Sequence, residues 1–256
     1  MVDRAFALLS AFRADRRTLS LSELSRLSGQ PTSTAHRLAS RLVEWGALER
    51  LPDGRYVVGL RLLEVASLAP RGHGLRDLAM PYMGDLAEAT HQHVLLAVLE
   101  EDEAMLVERL SYRSAAPVHY RVGGRMPLHS TGVGRVLLAH AEDDVTERIL
   151  GSRLVHQPEG VPVDVPDLRR QLARIRRDGT AQWRRASPTP VFSLAAPIWD
   201  HDDRCCAALS VLVPSAAENP ARGLTPALRA AARAVSRALG SPRASRRPDT
   251  TAAGDD

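Results

Sequence analysis

The segment Gln30–Leu42 reads QPTSTAHRLASRL, and its pattern decides the fold of the N-terminal part of the chain. Ala35, Leu38 and Leu42 recur at the spacing of one helix face, whereas hydroxyl, histidine and arginine side chains fall on the opposite face. Pro31 belongs to a tight turn that leads into this helix. The segment therefore predicts an amphipathic helix with one apolar and one cationic face.

The residues on either side of that segment predict a helix-turn-helix with a wing. Ser20 and Glu23 form a capping-box pattern that starts a preceding helix, which Gly29 ends. Two helices joined by a short turn that contains glycine are typical of a helix-turn-helix. Directly afterwards, the run Pro52-Asp53-Gly54-Arg55 separates two short β-favouring runs and predicts a hairpin, which in this position would be a wing.

The polar face of the predicted second helix suits double-stranded DNA. Its start offers free N–H groups and a positive dipole end to phosphate, and an arginine one turn further in can pair with guanine. The alternative is an ordinary solvated face of an amphipathic helix. Because one such unit reads only a few base pairs, we expect paired units on a palindromic operator. The candidate DNA-binding residues are Thr32, Ser33, Thr34, His36, Arg37, Arg41 and Arg55.

The composition permits this reading without requiring it. The chain has 256 residues and a net charge of +4, and all 34 basic residues are arginine. No apolar run approaches the roughly 20 residues of a membrane span, and the N-terminus does not have the pattern of a secretory signal. Cys205 and Cys206 are adjacent and cannot join distant segments, so we expect reduced thiols in a cytoplasmic protein.

The pattern along the chain divides it into four parts and predicts the α+β class. The part after the Pro- and Gly-rich stretch 69–74 mixes helices and strands, with strands expected at Val118–Val122 and elsewhere, and a last helix at Pro226–Leu239. The predicted parts are a winged helix-turn-helix at 1–59, a linker helix and boundary at 60–74, a second domain at 75–240 and a disordered tail at 241–256.

One loop of the second domain has the features of a ligand site. In the run Gly123–Arg135, GGRMPLHSTGVGR, Thr131 is a plausible N-cap of the helix that follows. Gly132 and Gly134 would let a ligand approach the backbone, and the N–H groups of a helix start can bind a carboxylate. The alternative is a tight loop in which glycine serves backbone geometry alone.

Taken together, these stretches resemble the IclR (isocitrate lyase regulator) family of transcription factors. The resemblance implies a winged helix-turn-helix followed by a GAF-like α/β effector-binding domain, a small organic-acid effector, assembly as homodimers or homotetramers, and repression, activation or both. The stretches that carry it are RAFALLSAF (4–12), LSLSELSRLSGQPTSTAHRLASRLVEWGALERLPDGRYVVGLRLLEVA (19–66), GGRMPLHSTGVGRVLLA (123–139) and FSLAAPIWDHDDRCCAALSVLVP (192–214).

The resemblance also suggests where an effector would bind. Ser193 stands at a family position that often holds Ser or Cys facing the effector, and Arg135 stands where the family usually has lysine. In the segment before the strand of Ser193, residues 183–190, the family's acidic residue is replaced by Arg184 and Arg185. We expect this segment to be a lid that recognises a different effector, more acidic, or that responds to none. The candidate effector-binding residues are Met126, His129, Ser130, Thr131, Gly132, Gly134, Ser193 and Ser210.

Two other functions stay open from the sequence. A regulator whose second domain has lost its ligand would bind DNA regardless of metabolites. A metal-dependent enzyme would need a ligand cluster, for which the pair His91 and His93 is a start if both lie on a strand and share a face. No Cys or carboxylate stands at ligand spacing beside them, so we expect no metal, no cofactor and no catalytic residue.

Overall fold

The computed structural model describes residues 1–112, 115, 120–156, 160–185, 190–215 and 220–245. The chain divides into two compact units, Met1–Gly74 and Leu75–Asp256. Within the described ranges, no helix is both long and apolar enough to cross a lipid bilayer.

The first unit is a bundle of short helices with a three-stranded antiparallel sheet in the order β1-β3-β2. Two further helical turns follow the sheet. The elements are α1 (Val2–Leu9), β1 (Thr18–Leu19), α2 (Leu21–Ser28), α3 (Thr32–Trp45), β2 (Leu48–Arg50), β3 (Tyr56–Val58), α4 (Arg61–Ala66) and a π-helical turn (Pro70–Gly74).

Local sequence signals position α2, α3 and the wing as predicted. The Ser20 hydroxyl accepts a hydrogen bond from the Glu23 N–H, and the Glu23 carboxylate accepts one from the Ser20 N–H, so the predicted capping box is confirmed. Gly29, at φ 68°, ends α2 in the left-handed region, and Gly54, at φ 83°, turns the hairpin. The wing sheet also contains β1, a third strand that the sequence analysis did not predict.

Replacing Ser20 by alanine should destabilise α2 by about 1 kcal/mol, because the Glu23 N–H loses its acceptor. Hydrogen exchange of the α2 amides measures this loss directly. Ser10→Ala is the control, since the exposed Ser10 side chain makes no hydrogen bond with any residue of the described ranges. Equal protection of α2 in both variants would mean that the capping box contributes nothing.

The second unit is built on a six-stranded antiparallel sheet in the order β6-β5-β4-β11-β10-β9. A separate two-stranded pair, β7 and β8, lies outside it. The elements are α5 (Leu75–Thr90), β4 (His93–Glu100), β5 (Glu103–Leu110), β6 (Arg125–Pro127), α6 (Gly132–Ala139), α7 (Asp143–Leu150), β7 (Val155–His156), β8 (Val161–Pro162), α8 (Val165–Asp178), β9 (Ala181–Arg185), β10 (Val191–Trp199), β11 (Cys205–Pro214), α9 (Pro220–Ala238) and α10 (Pro242–Ser245).

The central strands of this sheet are buried on both faces, so they read as continuous apolar runs. Helices α5 and α9 cover one face, where Leu194 and Leu209 belong to the core. Helices α6 and α8 cover the other face, where Ala195 and Leu212 belong to a second core. This layering gives the α+β architecture that the sequence predicts, and it sets the start of α6 directly against β10 and β11.

Several expected elements differ in the structure. Of the strand expected at Val118–Val122, residues 118 and 119 lie outside the described residues and 120–122 are not in a strand; β6 forms the sheet edge instead. The last helix begins at Pro220 rather than at Pro226, which lies inside it. Residues 242–245, expected in a disordered tail, form α10 because Ala244 is buried; residues 246–256 lie outside the described ranges.

Candidate functional site

Helix α3 presents a polar face that is free of the fold's own packing. Ala35, Leu38 and Ala39 are buried and anchor the helix to the core of the first unit. The opposite face is exposed, and with the helix start it carries most of the predicted DNA-contacting residues. Exposed on α3 are Thr32, Ser33, His36, Arg37, Ser40, Arg41 and Glu44, whereas Thr34 is half-buried.

The side chains on this face differ in how far they are already engaged. Ser33, His36 and Arg37 make no side-chain hydrogen bond or ion pair within the described part of the chain. Arg41 forms an exposed ion pair with Glu44 at 2.7 Å. A screened surface pair of this kind contributes at most about 1 kcal/mol, so Arg41 can exchange Glu44 for a phosphate at small cost.

The remaining predicted DNA-contacting residues flank this face. Arg55 lies at the wing turn, where its guanidinium donates to the Thr18 carbonyl at 3.1 Å. The Thr32 hydroxyl lies 3.2 Å from that of Ser25, which ties the start of α3 to α2. The structure thus places Ser33, His36 and Arg37 together on one face and holds Arg55 on the wing.

The second candidate site lies at the start of α6. Thr131 is the N-cap, as predicted: its hydroxyl accepts from the Gly134 N–H at 3.1 Å and donates to the Pro127 carbonyl at 2.9 Å. A Cβ on Gly134 would lie 2.6 Å from Leu128 Cα and 2.7 Å from the Leu128 carbonyl oxygen. Gly134 is therefore required by the packing of this loop against the helix.

Gly132 brings the start of α6 onto the sheet. A Cβ there would overlap the Ser193 hydroxyl and lie 3.5 Å from Ala195 Cβ. Ser193 is buried on the face of β10 that α6 covers, and Ser210 stands opposite Ala195 on β11. The Ser210 hydroxyl is completely buried and has no hydrogen-bond partner among the residues the structure describes. A buried hydroxyl in this state is poised for an additional partner.

Other predicted effector residues serve the framework of this site. Met126 is buried in the core under α6. The Nε2 atom of His129 lies 3.0 Å from the Val155 carbonyl oxygen, and Ser130, the residue before the N-cap, is half-buried.

Arg135 connects three segments of the second unit through its buried guanidinium. It is buried, its guanidinium donates to the His129 carbonyl at 2.8 Å and to the Gln171 side chain, and it lies 3.8 Å from the centre of the Trp183 ring. Burial lowers the pKa of Arg135 to about 10, so it remains charged at neutral pH. Its role is to join the loop, α8 and β9 around the start of α6.

The two arginines expected in a lid face opposite sides of the sheet. Arg184 lies 4.8 Å above the Phe192 ring, on the face covered by α5 and α9, which is the face opposite to that of Ser193. Arg185 follows Trp183 by two residues on β9 and shares the face of Ser193. Its guanidinium donates to the Tyr120 hydroxyl at 2.9 Å. Residues 186–189 of the expected lid lie outside the described residues.

Tyr120 is a candidate that sequence reasoning missed. It packs against the core under α6, and burial raises the pKa of its phenol. The residue was read as part of a strand, and only the pairing across the fold with Arg185 indicates a place near the effector site. No local pattern could have revealed that pairing.

The histidine pair does not have the geometry expected of metal ligands. His91 has a left-handed φ of 52° and stacks against Tyr112, while β4 begins only at His93. The condition for a metal site, that both histidines lie on one strand, is therefore not met. No group of three or more His, Cys, Asp and Glu side chains in the described ranges could hold a metal ion.

Comparison with known families matches nearly the whole chain. The model of the bacterial transcriptional regulator IclR C-terminal domain matches residues 69–237. The model of the IclR helix-turn-helix domain matches residues 1–52. The two matched segments contain both candidate sites except Arg55, which lies just beyond the second.

Individual relatives agree with this match over their full length. The transcriptional regulator XynR of Escherichia coli is 29% identical over 94% of this chain and 97% of its own. The glycerol operon regulatory protein of Streptomyces coelicolor is 30% identical over the same shares. A crystal structure of an IclR homologue from Microbacterium hydrocarbonoxydans, complexed with 4-hydroxybenzoate, has a TM-score of 0.85 and 34% identity, covering 93% of this chain and 98% of that one.

Proposed function

Since the chain belongs to the IclR family of bacterial transcriptional regulators, we propose that the polar face of α3 binds operator DNA and that a small organic acid at the start of α6 modulates this binding. The observation that carries the first half is the exposed group Ser33, His36 and Arg37, whose side chains make no hydrogen bond or ion pair within the described chain, on a helix held by its buried apolar face. A rigid helix with unengaged donors is what reading a major groove requires.

The start of α6 supports the second half of the proposal. Thr131 fixes a helix N-terminus against the sheet, where free N–H groups favour a carboxylate. Ser210 supplies a buried hydroxyl without a partner in the described structure. The relative from Microbacterium hydrocarbonoxydans was crystallised with the aromatic acid 4-hydroxybenzoate. We infer an organic acid with a single carboxylate aimed at this helix start, with Arg185 at the edge of the site.

Exposed apolar side chains support pairing of the first units. Monomeric soluble proteins seldom expose large contiguous apolar patches, and clusters of exposed large apolar side chains mark interaction surfaces. Here both α1 and the region of α4 carry such side chains, which suits an isologous contact that would place two α3 helices on a palindromic operator. We therefore propose a homodimer or homotetramer acting on DNA in the cytoplasm. The exposed residues are Met1, Val2, Phe6, Leu60, Leu63, Val65 and Leu68.

Footprinting on the DNA upstream of this gene and its neighbours tests the proposal, with and without a panel of mono- and dicarboxylic acids. We expect a protected palindrome whose occupancy one class of acid changes. In Ser210→Ala the same footprint should form without acid, while the acid concentration needed for the change rises about fivefold, as for one lost hydrogen bond. No footprint would contradict DNA binding, and a footprint indifferent to every acid would indicate a ligand-independent regulator.

A further inference from the structure

A second concave site lies in the same unit at the far end of α6. It is a cavity of about 470 Å³ where β10 ends, bounded by α8, α9 and α10. Its floor is apolar, with Ala196, Pro197 and Ala232, and Trp199 forms part of its wall. Since α6 spans eight residues, the cavity is separated from the Thr131 end of that helix by about 12 Å.

The walls of this cavity are strongly cationic. Five arginines and one aspartate line it, and the aspartate, Asp178, is already paired with one of those arginines, Arg177, at 2.9 Å. Arg176 and Arg229 make no ion pair with a carboxylate within the described ranges. The arginines are Arg176, Arg177, Arg229, Arg233 and Arg243.

Part of this positive charge compensates the partial negative charge of backbone carbonyl groups in three helices. Arg176 donates to the Ala139 carbonyl at the end of α6, Arg229 to that of Asp178 at the end of α8, and Arg233 to that of Ala244 in α10. Each helix end is equivalent to roughly half a negative charge. Even without Arg233 and the α10 carbonyl that it bonds, the other four arginines exceed Asp178 and the ends of α6 and α8 by about two positive charges, so capping does not account for all of them.

One polar atom in the wall is left without a partner. His140 is the C-cap of α6, and its buried Nε2 has no hydrogen-bond partner among the described residues. Burial and the neighbouring Arg176 and Arg243 lower the pKa of His140 to about 4, so the ring is neutral at physiological pH. A neutral imidazole can donate to, or accept from, a ligand that the arginines neutralise.

We propose that this cavity binds a small organic polyanion, a metabolite with a phosphate group or several carboxylates, as a second ligand distinct from the acid at the start of α6. An arginine guanidinium can donate two parallel hydrogen bonds to a phosphate or a carboxylate group. The excess of about two positive charges in the cavity favours a dianion or trianion over a monoanion. Arg243, whose guanidinium lies 4.2 Å above the Trp199 ring, and His140 line the same space and supply further contacts.

Isothermal titration calorimetry of the full chain tests this, with fructose 1,6-bisphosphate and citrate as the phosphate and carboxylate probes and acetate as the monoanion, all at constant ionic strength. We expect saturable binding of at least one polyanion and none of acetate. The variant Arg229→Gln with Arg233→Gln keeps a donor for each backbone carbonyl and should weaken binding about tenfold or more. Arg243→Gln should weaken it as well, since the Arg243 side chain stacks on Trp199 and bonds no carbonyl of the described residues.

The matched control is Arg222→Gln with Arg237→Gln, which removes the same charge from exposed positions of the same helix, α9, outside the cavity. Binding by this control should equal that of the unaltered protein. Failure of both polyanions to bind the unaltered protein would overturn the proposal, as would equal losses in the cavity and control variants. Because the readout is ligand binding without DNA, either result leaves the proposed regulator function untouched.

Discussion

Arg37→Ala should lose about 1–3 kcal/mol of discrimination between operator and scrambled DNA, equivalent to about five- to 150-fold in relative affinity. Arg37 is exposed in the middle of the polar face of α3, and its side chain has no partner within the described structure. Its guanidinium can therefore bind DNA without first breaking a contact with the protein. The planar guanidinium can donate two parallel hydrogen bonds to guanine O6 and N7, whereas the alanine side chain can donate none. Electrophoretic titration on both duplexes measures the loss.

The control for Arg37→Ala is Arg222→Ala, which removes one positive charge from an exposed position in the other unit. It should leave discrimination unchanged and weaken binding to both duplexes little if at all. Equal losses on operator and scrambled DNA in Arg37→Ala would mean that Arg37 only contacts phosphate, because phosphate contacts carry no sequence information.

Gly134→Ala should lower the free energy of unfolding of the second unit by about 3 kcal/mol, an overpacking penalty together with the loss of a cap. The new Cβ would lie 2.6 Å from Leu128 Cα and 2.5 Å from the Thr131 hydroxyl, and backbone cannot move aside as a flexible side chain can. The loop must therefore shift away from α6, and the Thr131 cap is lost with it. Urea denaturation measures the change, and the response of DNA binding to acid should weaken in parallel.

Gly84→Ala is the matched control in the same unit. Gly84 lies inside α5, and a Cβ there would meet no atom of the described residues within 4 Å apart from its own turn of helix. Alanine should stabilise the helix by about 0.5–1 kcal/mol. If Gly134→Ala were as stable as Gly84→Ala, the close approach of the loop to α6 would be absent, and the glycine would have to serve ligand access instead.

Local signals made the helix-turn-helix and the loop predictable from the sequence. The apolar spacing of Ala35, Leu38 and Leu42 decides the orientation of α3 without help from distant residues. The caps at Ser20 and Thr131 depend only on neighbours three residues away. Short-range chemistry of this kind survives in any fold that forms the helix, which is why these predictions were confirmed.

The elements that were missed depend on tertiary pairing. Strand β1 is two residues long, too short for any alternation to show. Strand β9 contains Trp183, Arg184 and Arg185, which belong to the expected lid, and only the pairing with β10 defines them as an edge strand. Pro226 suggested a helix start, yet the helix already begins at Pro220. For both strands, the pairing partner rather than the segment itself decides the structure.

The same distinction applies to the site residues. The exposure of Ser33, His36 and Arg37 follows from helix periodicity and could be predicted. The meeting of Gly132 with Ser193 joins residues far apart in the chain, and only the resemblance to a family suggested it. The arginine cavity at the other end of α6 collects side chains from three helices and left no signal in the sequence at all.

Photo-crosslinking to the protected operator duplex tests most directly whether the polar face of α3 contacts DNA. A photoreactive residue is placed at Ser33 or Ser40, on that face, and at Asp15, an exposed position between α1 and β1. We expect crosslinks from Ser33 and Ser40 that unlabelled operator abolishes, and none from Asp15. Crosslinks from Asp15 alone, in proteins that all bind the operator, would show that another surface of the first unit reads the DNA.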